Sequence, residues 1–156
     1  MQKRFLELLD DAKKNIQLAD HMTYMTFPLL QDNRLLFKIL EELNNGFLDI
    51  INSILQYEYL YKRIQLSKDP KKNFKLFKEK CAPAYKISED ELQYIIQILT
   101  LYKKHKKSGF EFVKNGKVVI MSDNLKTETI SLDKIKEFLI ISKKILKKVS
   151  AKIKQG

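Results

Sequence analysis

The chain of 156 residues contains no tryptophan, one cysteine, four glycines and three prolines. A single thiol, Cys81, excludes an intramolecular disulfide framework. Two histidines and one cysteine are also too few for an ordinary zinc site. The scarcity of glycine disfavours a phosphate-cradling loop, and the patterns GxxxxGKS/T and GxGxxG do not occur. We therefore expect no metal and no cofactor.

Long apolar stretches are missing as well. No run reaches the ~18 residues that a membrane-spanning helix needs. The first residues, MQKRF, are not followed by the apolar core of a signal peptide. Apolar residues still make up 44% of the chain, which is enough to build a buried core. These features predict one soluble domain spanning 1–156, located in the cytoplasm and without a membrane partner.

Acidic residues are scarce in the second part of the chain, and the net charge is +11. Residues 1–61 hold 6 Lys/Arg and 9 Asp/Glu, a balance of −3, whereas residues 62–156 hold 24 and 10, a balance of +14. This asymmetry indicates a polyanionic partner such as a nucleic acid. The alternative is compositional bias, because 27 lysines against 3 arginines are typical of an AT-rich genome. A solvated basic surface would then need no partner.

Apolar residues recur at helical spacing over the first 65 residues. A helix is predicted from about Lys3 to Met25, ending at Phe27-Pro28 because the residue before proline avoids the helical region. A second helix is predicted from about Asp32 to Gln65, a length of about 50 Å. Its apolar stripe keeps its phase across Asn44-Asn45-Gly46, so we prefer one continuous helix to a kinked one. Gly46 then permits a close contact between helices.

Two further helices are predicted before the basic region. A short one runs from about Lys71 to Lys80, buries Phe74 and Phe77, and ends before Pro83. A longer one runs from Ser88 to about Lys107, and Ser88 with Glu91 forms its capping box. The lysines in its last turn suit the negative helix end. Gly109 fits the left-handed position that follows.

The remaining segment predicts a β-hairpin and one more helix. Asn115-Gly116 is typical of a two-residue hairpin turn, which pairs Lys114 with Lys117. We expect the face with Phe110, Phe112, Val119 and Met121 to pack on the helices, with Phe112 and Val119 buried. Residues 125–130 are a candidate third strand. The last helix is predicted from its N-cap Ser131 to about Lys154, with Ile140 alone among the lysines of its polar half.

The fold class that follows is mainly α. It is a bundle of four principal helices plus one short helix, with a β-hairpin inserted before the C-terminal helix.

The sequence resembles two families of helical proteins. The stretches ADHMTYMTFPLLQDNRLLFKILEEL, YLYKRI and HKKSGFEFVKNGKVVIMSDN resemble an uncharacterised family of small archaeal helical proteins over nearly the whole chain. That resemblance implies a helical fold and no mechanism.

The second resemblance concerns His105. A helical bundle with a histidine near a helix end is similar to HEPN domains, many of which are metal-independent ribonucleases with an arginine separated from that histidine by four to six intervening residues. Ile98, Leu99 and Thr100 occupy the places where this arginine would stand. The resemblance therefore extends to helix order only and implies no catalytic pair. We predict no catalytic residue.

The basic clusters carry the functional prediction. The favoured function is a non-enzymatic nucleic-acid-binding protein, with RNA preferred to duplex DNA because no recognition-helix motif is visible. The alternatives are a protein-interaction or oligomerisation module without a nucleic-acid role, and a degenerate HEPN-type ribonuclease. The same lysines are also explained by helix-end electrostatics and a solvated hairpin tip. The predicted contact residues are Lys103, Lys104, His105, Lys106, Lys107, Lys114, Lys117, Lys143 and Lys147.

Overall fold

The computed structural model describes residues 4–108, 110–121 and 126–155. The described helices are α1 (Arg4–His21), α2 (Phe27–Leu30), α3 (Leu35–Leu60), α4 (Pro70–Leu76), α5 (Ala82–Ala84), α6 (Glu89–Lys107) and α7 (Leu132–Gln155). Between α6 and α7 lie three antiparallel strands, β1 (Phe110–Lys114), β2 (Lys117–Met121) and β3 (Thr127–Ile130), in the order β1-β2-β3. The mainly α fold class is confirmed, and so is the third strand. Within the described residues, no helix has the length and apolar character needed to cross a bilayer.

Helix α3 is the centre of the bundle and contacts α1, α6 and α7. It runs through Asn44-Asn45-Gly46 without interruption, which confirms one continuous helix. A Cβ atom on Gly46 would lie 3.0 Å from Ile16 Cγ1 and 3.6 Å from the Ala12 carbonyl oxygen. The absent side chain therefore allows α1 to approach α3 closely, as the sequence predicts.

The ends of α3 differ from the prediction. The helix begins at Leu35, after a turn in which the Asp32 side chain accepts from the Arg34 backbone N–H at 3.0 Å. It ends at Leu60 rather than Gln65, and Lys62 has a left-handed φ of 59°. At 26 residues the helix is about 39 Å long.

The prediction that two prolines end their helices is wrong. The segment after α1 forms a π-helical turn over Met22–Thr26 and continues through Pro28 to Leu30. The segment after α4 forms the same kind of turn over Phe77–Cys81 and continues through Pro83. A π turn widens the helix, which relieves the clash between the proline ring and the preceding turn. The two helical segments instead end at residues with positive φ, Gln31 (49°) and Lys86 (59°).

The caps of the last two long helices agree with the sequence. Ser88 Oγ accepts from the Glu91 N–H at 3.1 Å, and Glu91 Oε1 accepts from the Ser88 N–H at 2.9 Å. Ser131 Oγ accepts from the Lys134 N–H at 3.2 Å at the start of α7. The predicted left-handed Gly109 lies outside the described residues.

The sheet has the predicted register but packs through its other face. Lys114 pairs with Lys117 and Phe112 with Val119, as expected from the Asn115-Gly116 turn. Val119 is buried, but Phe112 is only half-buried. The side chains that join the hydrophobic core come from the opposite face: Val118, Ile120 and Ile130. Every central residue of β2 is apolar, so alternation along that strand does not identify the buried face.

Candidate nucleic-acid interface

Lys104 and His105, near the end of α6, are engaged by carboxylates of the sheet. Lys104 Nζ donates to Glu128 Oε1 at 2.8 Å, and His105 Nδ1 lies 2.6 Å from Glu111 Oε2. The His105 ring also stacks on Phe37 of α3, with 4.2 Å between ring centroids and 12° between planes. Glu111 and Glu128 both lie beside Ile120 in the register, on the face that packs against the helices. These two predicted contact residues therefore hold the sheet to the bundle.

The other predicted lysines in this region point to solvent. Lys106 Nζ lies 5.7 Å from the centroid of the Tyr102 ring. Four more form no ion pair with any described residue, and all are exposed: Lys103, Lys107, Lys114 and Lys117. The end of α6 and the hairpin tip thus carry a solvated basic surface.

Lys143 and Lys147 lie elsewhere, on α7 where it faces α1. Lys148, beside Lys147, donates to Glu91 in the first turn of α6, and Tyr94, one turn later in α6, contacts Phe138, so α6 and α7 run antiparallel. Glu91 precedes Lys104 by 13 residues, which corresponds to about 20 Å of helix. The predicted contact residues therefore divide between two surfaces, one at the end of α6 and the hairpin tip and the other on α7.

Lys143 and Lys147 line a groove between α1 and α7 with a volume of about 430 Å³. Its floor contains the buried Ile16 and the half-buried Leu146. The full lining is Lys13, Ile16, Gln17, Asp20, Lys143, Leu146, Lys147, Ser150 and Lys154. We refer to this feature as the α1–α7 groove. It combines four lysines with one carboxylate.

That carboxylate, Asp20, is already paired with Lys143. Lys13, Lys147 and Lys154 are exposed and make no ion pair with another described residue. The sequence alone does not single out Lys13 as a contact residue, because the first 61 residues are acidic on balance. Only the pairing of α1 with α7 brings it opposite Lys147, and no local pattern encodes that pairing.

A separate polar cluster joins the buried Glu58 and Tyr85 to Arg63, whose side chain is half-exposed. Arg63 donates from Nε and Nη2 to Glu58 Oε2 at 3.0 and 2.5 Å, and Tyr85 Oη lies 3.4 Å from the same oxygen. Burial raises the pKa of the neighbouring Cys81 thiol to about 11, so it stays protonated at neutral pH. Burial also raises the pKa of Tyr85. Cys81 is 1% exposed and packs in the hydrophobic core.

No cluster of three or more His, Cys, Asp or Glu side chains suited to a metal ion occurs in the part of the chain that the structure describes. Comparisons of the chain with protein-family models, with curated proteins and with solved structures found no match. The two family resemblances therefore stay predictions. The function has to be argued from the geometry of the groove.

Proposed function

We propose that this protein binds single-stranded nucleic acid, RNA in particular, and that the α1–α7 groove is the principal contact surface. The protein would act as a binding protein and not as an enzyme. The observation that carries the proposal is the charge of the groove, where three exposed lysines have no carboxylate partner among the described residues. A phosphate backbone supplies the missing negative charge.

The shape of the surface favours a single strand. Duplex DNA is read by a helix or ribbon that projects into its major groove. The lysines here line a recess between two helices, and a flexible strand can follow such a recess more readily than a rigid duplex can. Lysine acts as a point charge and contacts phosphates without reading bases, so the binding should tolerate many sequences. The exposed lysines at the end of α6 and at the hairpin tip provide a second set of phosphate contacts.

The decisive experiment measures affinity for a labelled, mixed-sequence single-stranded RNA by fluorescence anisotropy over a range of salt concentrations. Log affinity should fall linearly with log salt, with about 0.7 of slope for each phosphate contact. The triple variant K13Q/K147Q/K154Q should reduce the slope by about 2 if all three lysines contact phosphates.

A matched control removes the same charge elsewhere. Lys68, Lys71 and Lys72 are exposed residues around the start of α4, and the variant K68Q/K71Q/K72Q should leave the slope unchanged. Equal losses in both triple variants would show that only net charge matters and that the groove is not the site. Absence of binding by the natural protein at low salt would refute the nucleic-acid function altogether.

A second candidate function is protein interaction, and one observation favours it. Three apolar side chains are exposed around the turn between α1 and α3: Met25 (57%), Leu29 (84%) and Leu30 (64%). An exposed apolar cluster is typical of contact surfaces. A mass that rises with concentration, combined with no RNA affinity, would support this function in place of the first.

A further inference from the structure

We propose that Tyr24 is a stacking platform for one unpaired base at the end of the α1–α7 groove. This inference rests on the proposed function and adds the part of the ligand that the lysines do not recognise. Tyr24 follows Asp20 by four residues, one helical turn, and lies in the π turn after α1. Its side chain is 47% exposed.

The residues opposite Tyr24 continue the line of the groove. Lys136 of α7 places its Nζ 5.5 Å from the centroid of the Tyr24 ring. Ile140 follows Lys136 by one turn and is 62% exposed. Lys143 comes next and pairs with Asp20. A strand that leaves the groove along α7 therefore passes Lys143, which is paired with Asp20, and then Ile140. It next reaches the Tyr24 ring with Lys136 beside it.

Proteins that bind single-stranded nucleic acids combine a basic groove with exposed aromatic side chains on which bases stack. Stacking of a base on an open aromatic ring supplies affinity for any base, and lysines neutralise the adjoining phosphates. The contact with Lys136 restrains the ring while much of it stays open. Tyr24 is thus far more open than the core tyrosines Tyr57 (5%) and Tyr85 (2%).

The chain offers a matched control in Tyr59. Its exposure is 53%, close to that of Tyr24, but it lies near the end of α3. Tyr24 lies one helical turn beyond Asp20 of the groove lining, whereas Tyr59 belongs to a helix that contributes no residue to that lining, and no cation lies over the Tyr59 ring among the described residues. If an exposed tyrosine anywhere on this basic protein served equally well, the two positions would behave alike.

The test compares two labelled single-stranded oligonucleotides of equal length and charge, one with uracil bases and one with abasic sugars. The natural protein should bind the base-bearing strand about fivefold to a hundredfold more tightly. Tyr24→Leu should abolish most of this preference and leave the salt slope unchanged, whereas Tyr24→Phe should retain it. Tyr59→Leu should behave as the natural protein does.

Each contrary outcome identifies which proposal fails. Equal binding of the two strands by the natural protein would overturn the stacking role and leave the phosphate-binding groove intact. Binding of neither strand would overturn both proposals. If Tyr24→Leu reduced self-association, measured by sedimentation, while the base preference stayed, Tyr24 would belong to a protein contact and the stacking role would be wrong.

Discussion

Glu91 has two roles at the start of α6. It is 4% exposed, and its Oε1 accepts both from the Ser88 N–H at 2.9 Å and from Lys148 Nζ at 2.6 Å. Lys148 also donates to the Lys86 carbonyl at 2.8 Å, and Lys152 donates to the Ala84 carbonyl at 2.6 Å. Lys148 and Lys152, one turn apart on α7, thus satisfy backbone carbonyls at and just after the end of α5.

The charge state of Glu91 follows from these contacts. Burial pushes the pKa of Glu91 upward, but the hydrogen bonds from Lys148 and from the Ser88 N–H outweigh it, so the pKa lies below its ordinary value. A carboxyl whose pKa is depressed by folding stabilises the fold above the pKa of the unfolded chain. This contribution is lost as the pH falls through the folded-state pKa.

We predict that Lys148→Met lowers the free energy of unfolding by about 2–3 kcal/mol at neutral pH, because it leaves Glu91 charged and buried without a cation. Urea denaturation measures the loss. The exposed neighbour provides the control, and Lys144→Met should change stability by less than about 0.5 kcal/mol. The loss should shrink as the pH falls and Glu91 becomes protonated. A loss that does not vary with pH would assign the effect to packing instead.

Local sequence patterns identify only half of this arrangement. The capping box of Ser88 and Glu91 is predicted and confirmed, since its partners are three residues apart. Lys148 lies 57 positions from Glu91, and its burial depends on how α6 packs on α7. Glu128 is likewise not predicted as the partner of Lys104, because it lies 24 positions away in the chain.

At the scale of elements, the contact between α1 and α3 depends on one missing side chain. Gly46 lies in the middle of α3, where alanine would normally favour the helix by about 1 kcal/mol. At this position the added methyl group would crowd Ile16 Cγ1 at 3.0 Å. Crowding of this kind typically costs about 1–3 kcal/mol, so it should exceed the gain in helix propensity.

We predict that Gly46→Ala destabilises the protein by about 1 kcal/mol, the difference between the two effects. In an Ile16→Ala background the same substitution should become stabilising, because the crowded atoms are gone. A double-mutant cycle by urea denaturation measures this coupling. Additive effects of the two substitutions would show that the helices separate freely and that Gly46 is not the point of closest approach.

The elements themselves are largely predictable, and their ends are not. Helical spacing, the capping box and Asn115-Gly116 specify local structure, and each of these predictions is confirmed. The prolines mislead because Pro28 and Pro83 follow π turns, which no propensity encodes. The buried face of the sheet is also unpredictable from β2, whose apolar residues fit either side.

For the whole molecule, the net charge of +11 should have two opposite salt effects. Self-repulsion destabilises a compact chain, and salt screens it. We predict that the melting temperature of the free protein rises by about 2–4 °C between low and physiological salt, a gain on the order of 1 kcal/mol. Differential scanning fluorimetry measures this shift, and RNA affinity should fall over the same range.

The triple variant K13Q/K147Q/K154Q should show a smaller rise, because its net charge is +8 in place of +11. A melting temperature that falls with added salt would contradict the prediction and show that attractive ion pairs outweigh the repulsion.

The candidate site is only partly visible in the sequence. Lys143 and Lys147 are predicted because they lie on the polar half of an amphipathic helix, and they line the groove. Lys13 is not predicted as a contact residue, because it belongs to a segment with more acidic than basic residues. Composition reveals that charge is present, whereas the assignment of lysines to one surface requires the helix pairing.

The two walls of the α1–α7 groove come from distant parts of the chain, and Asp20 and Lys143 are separated by 123 positions. Helices α1 and α3 are close in the chain, so this hairpin can assemble with little loop-closure entropy. The groove exists only after α7 has docked. A ligand held there would bridge the first and the last helix, so it would raise the free energy of unfolding of the whole bundle by an amount set by its concentration relative to its dissociation constant. Occupancy of the groove therefore reports that folding is complete.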